Sequence, residues 1–215
     1  MALSTPVFTS ASVSTPVAVC PAYFEAMFAG NDDPWSFRSR WYETRKRAIT
    51  LASLPHATYC NAFEPGCANG ELSADLAARC NHLLSCDGTS RAVDIARQRV
   101  GGMANVKVIQ AWVPDEWPQQ AFDLVVISEL GYFLSPDALE KLIQKVRGSL
   151  QPGATVLACH WRQQIKGCAL NGDEVQRRIG HGLGMPSLTR VADPDFLLEV
   201  WCDDAQSVAQ WEQIP

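Results

Sequence analysis

Residues 63–70, Phe-Glu-Pro-Gly-Cys-Ala-Asn-Gly, constrain this chain more than any other stretch. A short apolar segment over residues 59–63 ends in an acid, Glu64. Gly66, three further residues and Gly70 follow, and then an apolar pattern at Leu72, Leu76, Ala77 and Cys80. This succession predicts a strand, a glycine turn and a helix. Only a residue without a Cβ lets a ligand lie directly on the backbone of such a turn, and the first N–H groups of the helix behind it are without intrahelical partners. A dinucleotide fingerprint reads Gly-x-Gly-x-x-Gly, whereas here Glu64 takes the place of its first glycine. A carboxylate at that point repels a pyrophosphate and suits a ligand that carries an ammonium group.

The next strand, over residues 82–86, ends in Asp87, 21 positions beyond Gly66. An acid there accepts both hydroxyls of a ribose. Nicotinamide and adenosyl cofactors share that need, so Asp87 points to a nucleoside without choosing between them. Gly88-Thr89-Ser90 reads as turn and cap, and Ala92, Val93, Ala96 and Val100 lie on one face of a helix. A third strand over residues 106–111 closes at Ala111-Trp112-Val113-Pro114. Residues 121–130 form the clearest buried strand, a continuous apolar run entered by Asp123 and left by Ser128 and Glu129.

Ligands of open parallel sheets bind outside the carboxyl ends of the strands, which predicts that Ser128, Glu129, Gly131 and Tyr132 fall in the crevice. Ser135 and Pro136 open a helix whose stripe is Leu139, Leu142, Ile143 and Val146. Gln151-Pro152-Gly153 turns the chain into a strand over residues 154–159 that delivers His160-Trp161-Arg162 to the same edge. A helix is expected over residues 172–179. Strands over residues 187–191 and 196–202 then pair about Asp193-Pro194-Asp195, so the last must run antiparallel to its neighbour.

Ahead of the first strand, residues 21–54 are dense in aromatics. Asp32-Asp33-Pro34 divides them into two expected helices, with Pro34 opening the second. That puts Trp35 and Tyr42, seven apart, on one face of a cap over the crevice. The five Arg and Lys residues within 38–47 alternate with Phe37, Trp41, Tyr42 and Ala48 and are read as the solvated face of an amphipathic helix.

At 215 residues and 47% hydrophobic content, the chain suffices for one core. It divides into an arm over residues 1–20 and one domain over 21–215, with a helical cap at 21–57 and the core at 58–215. A net charge of −5 argues against a nucleic-acid partner, which needs dense basic residues. Eight cysteines never form Cys-x-x-Cys and are read as reduced, mostly buried residues. Without a signal-peptide pattern or a membrane-length apolar run, the expected location is the cytoplasm.

Glu64-x-Gly66-x-x-x-Gly70, Asp87, Phe122-Asp123-Leu124-Val125-Val126, Gln151-Pro152-Gly153 and the terminal hairpin together resemble the class I S-adenosylmethionine-dependent methyltransferases over residues 58–202. Within that superfamily, Asp33-Pro34-Trp35, Trp41-Tyr42-Glu43, Glu64-Pro65-Gly66-Cys67, Ser128-Glu129-Leu130-Gly131-Tyr132 and His160-Trp161-Arg162 resemble the nodulation-protein S group. Those small N-methyltransferases act on the free amine of a deacetylated chito-oligosaccharide. The resemblance implies an α/β, Rossmann-like sheet of seven mostly parallel strands, with an antiparallel terminal strand, helices on both faces and an N-terminal helical cap.

It also implies S-adenosyl-L-methionine as cofactor, S-adenosyl-L-homocysteine as its product, and no metal. The residues expected to hold the cofactor are Trp35, Tyr42, Glu64, Gly66, Cys67, Ala68, Gly70, Asp87, Gly88, Ala111, Trp112, Val113, Ser128 and Glu129. The family more often carries Ala-Asp-Leu where Trp112 stands, so the acid that takes the adenine amine is missing. Trp112 is instead a candidate to cover the adenine by stacking or through its backbone only, with a surface tryptophan as the alternative.

The implied chemistry is an in-line displacement at an activated methyl carbon, for which the protein holds the nucleophile, excludes water and leaves a lone pair free. His160 is the candidate base, with a histidine that merely bonds and packs as the alternative. Glu129 is a candidate to orient an amine or ribose, and Tyr132 to close the site. His181 ranks below His160, and His56 and His82 have no assigned role. The expected reaction is methyl transfer to a nitrogen of a small molecule, an amino sugar or natural-product intermediate. O- or C-methylation is the alternative, followed by a dinucleotide oxidoreductase or a non-catalytic binder. Acceptor and oligomeric state stay open.

Overall fold

In the structure, a computed structural model describing residues 21–204 and 206–214, the strands are β1 (Tyr59–Pro65), β2 (Cys80–Asp87), β3 (Val106–Gln110), β4 (Phe122–Ser128), β5 (Leu150–Trp161), β6 (Ser187–Ala192) and β7 (Phe196–Cys202). They form one sheet in the order β3-β2-β1-β4-β5-β7-β6. The first five strands pair in parallel, and β7 runs antiparallel to both β5 and β6. The direction of strand order reverses between β1 and β4, which opens a crevice at their carboxyl ends.

The helices are α1 (Pro21–Ala29), α2 (Trp41–Ala52), α3 (Glu71–Ala77), α4 (Ser90–Val100), α5 (Pro136–Gly148), α6 (Gly172–Leu183) and α7 (Val208–Trp211), with a 3-10 turn at Gly131–Phe133. Both faces of the sheet are covered, and this is why β4 reads as an unbroken apolar run. Its side chains alternate: Val125 and Ile127 pack with Leu139, Leu142 and Ile143 of α5 and Val175 and Ile179 of α6. Leu124 and Val126 pack on the opposite face with Leu76 of α3, and Tyr42 and Ile49 of α2 adjoin that cluster. Ser135 caps α5 by accepting from the Ala138 N–H at 3.2 Å, with Pro136 at the first helical position.

Three expectations are corrected. Pro34 does not open a helix: residues 30–40 are turns, and α2 starts at Trp41. The Asp33 carboxylate accepts the N–H groups of Phe37 at 2.8 Å and Arg38 at 3.1 Å, a local bond set that favours a turn over a helix. Trp35 therefore shares no helix face with Tyr42. Cys80 starts β2 instead of extending the stripe of α3. The fifth strand begins at Leu150, carrying Gln151-Pro152-Gly153 within it, where its pairing with β4 shifts register.

The arm over residues 1–20 and Cys20 lie outside the described residues. Of the described cysteines, Cys60 is exposed and the other six are buried and free. Among the described residues, no helix is long and apolar enough to cross a membrane.

Candidate active site

The glycine turn supplies shape. Gly66 and Gly70 take φ of 76° and 80°, and Ala68 takes 49°. A Cβ on Gly70 would stand 2.9 Å from the Ala96 Cα, so this glycine lets α3 start against α4. The turn's own N–H groups are largely spent within the protein. Those of Gly66 and Cys67 donate to the Cys86 carbonyl at 2.7 and 2.9 Å, Gly70 donates to Cys67, and Ala68 donates to Asp87 Oδ2 at 3.0 Å. A ligand on the turn is consequently met mainly by side chains.

Two acids flank it, Glu64 buried and Asp87 half-buried. Glu64, at the end of β1, is 2% exposed, and both its bonds fall on Oε2, from the Ser73 hydroxyl at 2.5 Å and the Ser85 hydroxyl at 2.8 Å. Burial raises its pKa to about 7. Asp87, at the end of β2, also accepts the Thr89 N–H at 2.9 Å on Oδ1, and burial likewise raises its pKa. The Trp112 ring lies over Gly88, where a Cβ would come within 2.3 Å of it. Gly88 is thus the residue that admits the tryptophan.

These groups line a cavity of about 620 Å³ together with Trp35, Tyr42, Gly66, Cys67, Ala68, Ala111, Val113, Ser128, Glu129 and Tyr132. Its roof is aromatic, from Phe24, Phe28, Trp35 and Phe37. Gly70 and Gly131 do not line it: Gly70 meets α4, and Gly131 faces Val175 and His160. Three buried polar atoms without a partner among the described residues, Tyr42 Oη, Asn69 Oδ1 and Thr89 Oγ1, belong to lining residues, which suits a bound polar ligand.

His160 is corrected most sharply. It is wholly buried and does not line the cavity. Its Nε2 accepts the Gly131 N–H at 3.1 Å, while Nδ1 lies 3.1 Å from Gln176 Oε1, and Gln176 in turn donates to the Ala158 carbonyl at 3.1 Å. An Nδ1–H tautomer satisfies both contacts. Burial lowers its pKa to about 4, so the ring stays neutral. His160 bonds and packs, holding the backbone of the turn that carries Tyr132.

The other end of the cavity joins Glu129 and Tyr132, expected there, to Lys46, which the sequence reading assigned to a solvated face. Lys46 is 5% exposed and its Nζ lies 2.6 Å from Glu129 Oε1 and 3.1 Å from Glu43 Oε2. Glu129 Oε2 accepts the Tyr132 hydroxyl and, at 2.9 Å, the Trp161 N–H. Burial raises the Glu129 carboxyl, but the Lys46 ammonium and the bonds from Lys46 and Tyr132 outweigh it, so its pKa lies below the ordinary value. Burial lowers that of Lys46, and the two carboxylates more than reverse this.

The basic run is therefore split. Arg45 leans outward to Asp193, Arg47 lines the cavity while binding Asp75 and the Phe37 carbonyl, and Glu43, Lys46 and Thr50 turn inward. Their spacing of three and four, on the face shared with Tyr42 and Ile49, was the available signal.

Sheet order, the antiparallel β7, the glycine turn and the paired acids at adjacent strand ends define a class I S-adenosylmethionine-dependent methyltransferase. Comparison with known proteins narrows this. The family model for nodulation protein S (NodS) matches residues 27–198, and the chain belongs to that family. Nodulation protein S of Rhizobium tropici is 31% identical over 124 residues, 57% of this chain and 52% of that protein. A crystal structure from Pseudomonas syringae, assigned to the methyltransferases, is 47% identical with a TM-score of 0.69, covering 76% of this chain and 99% of that one. N-methyltransferase NodS from Bradyrhizobium japonicum WM9, solved with S-adenosyl-L-homocysteine, shares the fold at a TM-score of 0.73 and 23% identity, covering 85% of this chain and 97% of that one.

Proposed function

We propose that this chain transfers the methyl group of S-adenosyl-L-methionine to a nucleophilic nitrogen of a small molecule. The observation that carries the reading is the pair of acids on either side of the glycine turn, Glu64 buried and Asp87 half-buried. Glu64 suits the ammonium of an amino-acid tail, and Asp87 suits ribose hydroxyls. Gly66, Cys67 and Ala68 shape the bed between them. Ala111, Trp112 and Val113 flank the adenine, Trp112 by stacking, and Trp35, Tyr42, Ser128 and Glu129 complete the cofactor's surroundings. Gly70 acts indirectly, by setting the turn. The bound cofactor supplies a methyl carbon activated by its sulfonium.

The protein's own part is to exclude water under the aromatic roof and to hold the nucleophile in line. A cavity of about 620 Å³ lies in the ordinary range for small-molecule sites. Residues 21–215 act as one domain with residues 21–57 as its cap. The net charge of −5 agrees with a small acceptor in place of a nucleic acid, and the proposed location is the cytoplasm.

S-adenosyl-L-homocysteine at about a hundredfold over its Kd should add roughly 2.7 kcal/mol of stability, or roughly 5–11 °C in Tm. NAD should add nothing. Labelled cofactor should deliver its methyl to nitrogen in an amine screen, read by product mass and NMR. Stabilisation by NAD alone, or label found only on oxygen or carbon, would refute the proposal.

A further inference from the structure

An ammonium held at 5% exposure between two carboxylates is a poor way to stabilise a fold, because the desolvation of such ions offsets most of their attraction. Apolar packing would serve at least as well. The backbone points the same way. Glu129 sits at φ 56°, a costly conformation for a residue with a Cβ, and its N–H is tied to the Cys159 carbonyl at 2.8 Å. Three donors then fix its carboxylate, namely Lys46, the Tyr132 hydroxyl and the Trp161 N–H.

The Tyr132 proton is thereby committed to Glu129, while the phenolic oxygen still has accepting capacity toward the cavity it lines. The turn beneath it is pinned by the Gly131 N–H on His160, and the two rings meet edge to face at 5.5 Å. Tyr132 is a rigid acceptor of hydrogen bonds because Glu129 takes its only proton.

We propose that Lys46 is a positioning residue of the acceptor site: by holding Glu129 as a carboxylate it commits Tyr132 to donate inward, so that the phenolic oxygen receives an N–H of an uncharged primary or secondary amine. This rests on the N-methyl transfer reading of the same cavity. An N–H directed at Tyr132 turns the nitrogen lone pair away from it and into the cavity. There the nitrogen pair forms the new N–C bond as the C–S pair returns to sulfur, and the charge that leaves sulfur resides on nitrogen until its proton passes to water.

The groups facing Glu129 are Tyr42, Glu43 and Lys46 from α2, Tyr132 from its own turn, and Cys159 and His160 from β5. Lys46 is the one cation among them. Without it the half-buried Glu129 carboxyl protonates at a higher pH, and Tyr132 loses its acceptor.

Glucosamine serves as probe, with its N,N-dimethyl derivative, which has no N–H when uncharged, as control at a pH where both amines are neutral. Lys46→Met should lower kcat at pH 7 at least tenfold, weaken calorimetric binding of glucosamine in the presence of S-adenosyl-L-homocysteine, and leave the affinity for S-adenosyl-L-homocysteine within twofold. Part of the loss should return as pH rises toward 9, a limb beyond the one that deprotonation of glucosamine's own ammonium gives wild type and variant alike, and Lys46→Arg should retain most of the rate. Tyr132→Phe removes one hydroxyl and should show the loss without that limb, which keeps the proposal testable should Lys46→Met fail to fold.

Wild-type rate, binding and pH profile in Lys46→Met, or an unchanged kcat in Tyr132→Phe, would overturn the inference. Equal binding of the dimethyl control would do the same. Absence of N-methyl transfer by the wild-type chain to any amine would instead remove the functional reading on which it stands.

Discussion

Replacing Glu64 by Gln separates what the acid costs the fold from what it does for a ligand. The group is 2% exposed, and burial raises its pKa from 4.5 to about 7. A carboxyl whose pKa is higher folded than unfolded binds its proton more tightly in the native state. Its contribution to stability is complete below pH 4.5, declines as the pH rises toward 7, and is constant beyond. At about 1.36 kcal/mol per pKa unit, holding this carboxylate ionised at pH 8 costs the native state roughly 3 kcal/mol.

Glutamine carries no such penalty, and its carbonyl can accept the Ser73 and Ser85 hydroxyls that now bond Oε2. Ligand-free Glu64→Gln should therefore be more stable than the wild type at pH 8 by up to about 3 kcal/mol, or roughly 6–12 °C in Tm, with the difference vanishing near pH 4.5. Added S-adenosyl-L-homocysteine should reverse the order, because the variant has lost the partner of the ligand's ammonium. Thermal melts between pH 4.5 and 8.5, with and without the ligand, and calorimetric Kd values measure both effects. A variant that melts lower at pH 8 and binds the ligand as tightly as the wild type would refute the assignment of Glu64.

Gly70→Ala puts a Cβ 2.9 Å from the Ala96 Cα at φ 80° and should cost about 2 kcal/mol or more, read as a lowered denaturant midpoint. Trp112→Ala should weaken S-adenosyl-L-homocysteine by about 1–3 kcal/mol, the usual worth of an aromatic stacked on a base, with little change in ligand-free Tm. The kcat profile of the wild type should show no histidine limb near pH 6.5, since His160 is buried neutral with its pKa lowered to about 4. His160→Ala should instead lower Tm, by leaving the Gly131 N–H and Gln176 Oε1 unpartnered in the core, and a retained Tm with a selective loss of the basic rate limb would restore it as a base.

The order of strands and helices was legible because each is written locally. The continuous run at Leu124 to Ile127, the acid and glycines of residues 64–70, and Ser135-Pro136 declare a buried strand, a tight turn and a helix start through their own neighbours. Strand ends were equally legible, since a parallel sheet sends every carboxyl end to one edge, and Glu64, Asp87, Ser128 and Glu129 all reach the cavity. The helix start expected at Pro34 failed because the Asp33 side chain bonds N–H groups up to five residues on, which competes with helix formation without altering the apolar pattern.

By itself, then, the sequence determined the sheet, the ligand turn and the acids at the strand ends, because backbone preference and the alternation of apolar residues act over a few positions. Which polar side chains face inward was decided by tertiary structure alone. Lys46 resembles the arginines beside it until α2 docks against β4 and Glu129 meets its ammonium. His160 stands at the active edge of its strand, yet α6 brings Gln176 to its Nδ1 and turns the ring into the core. Burial and charge pairing depend on residues far away in the chain; the spacing along α2 marks an inward face but does not name its partners.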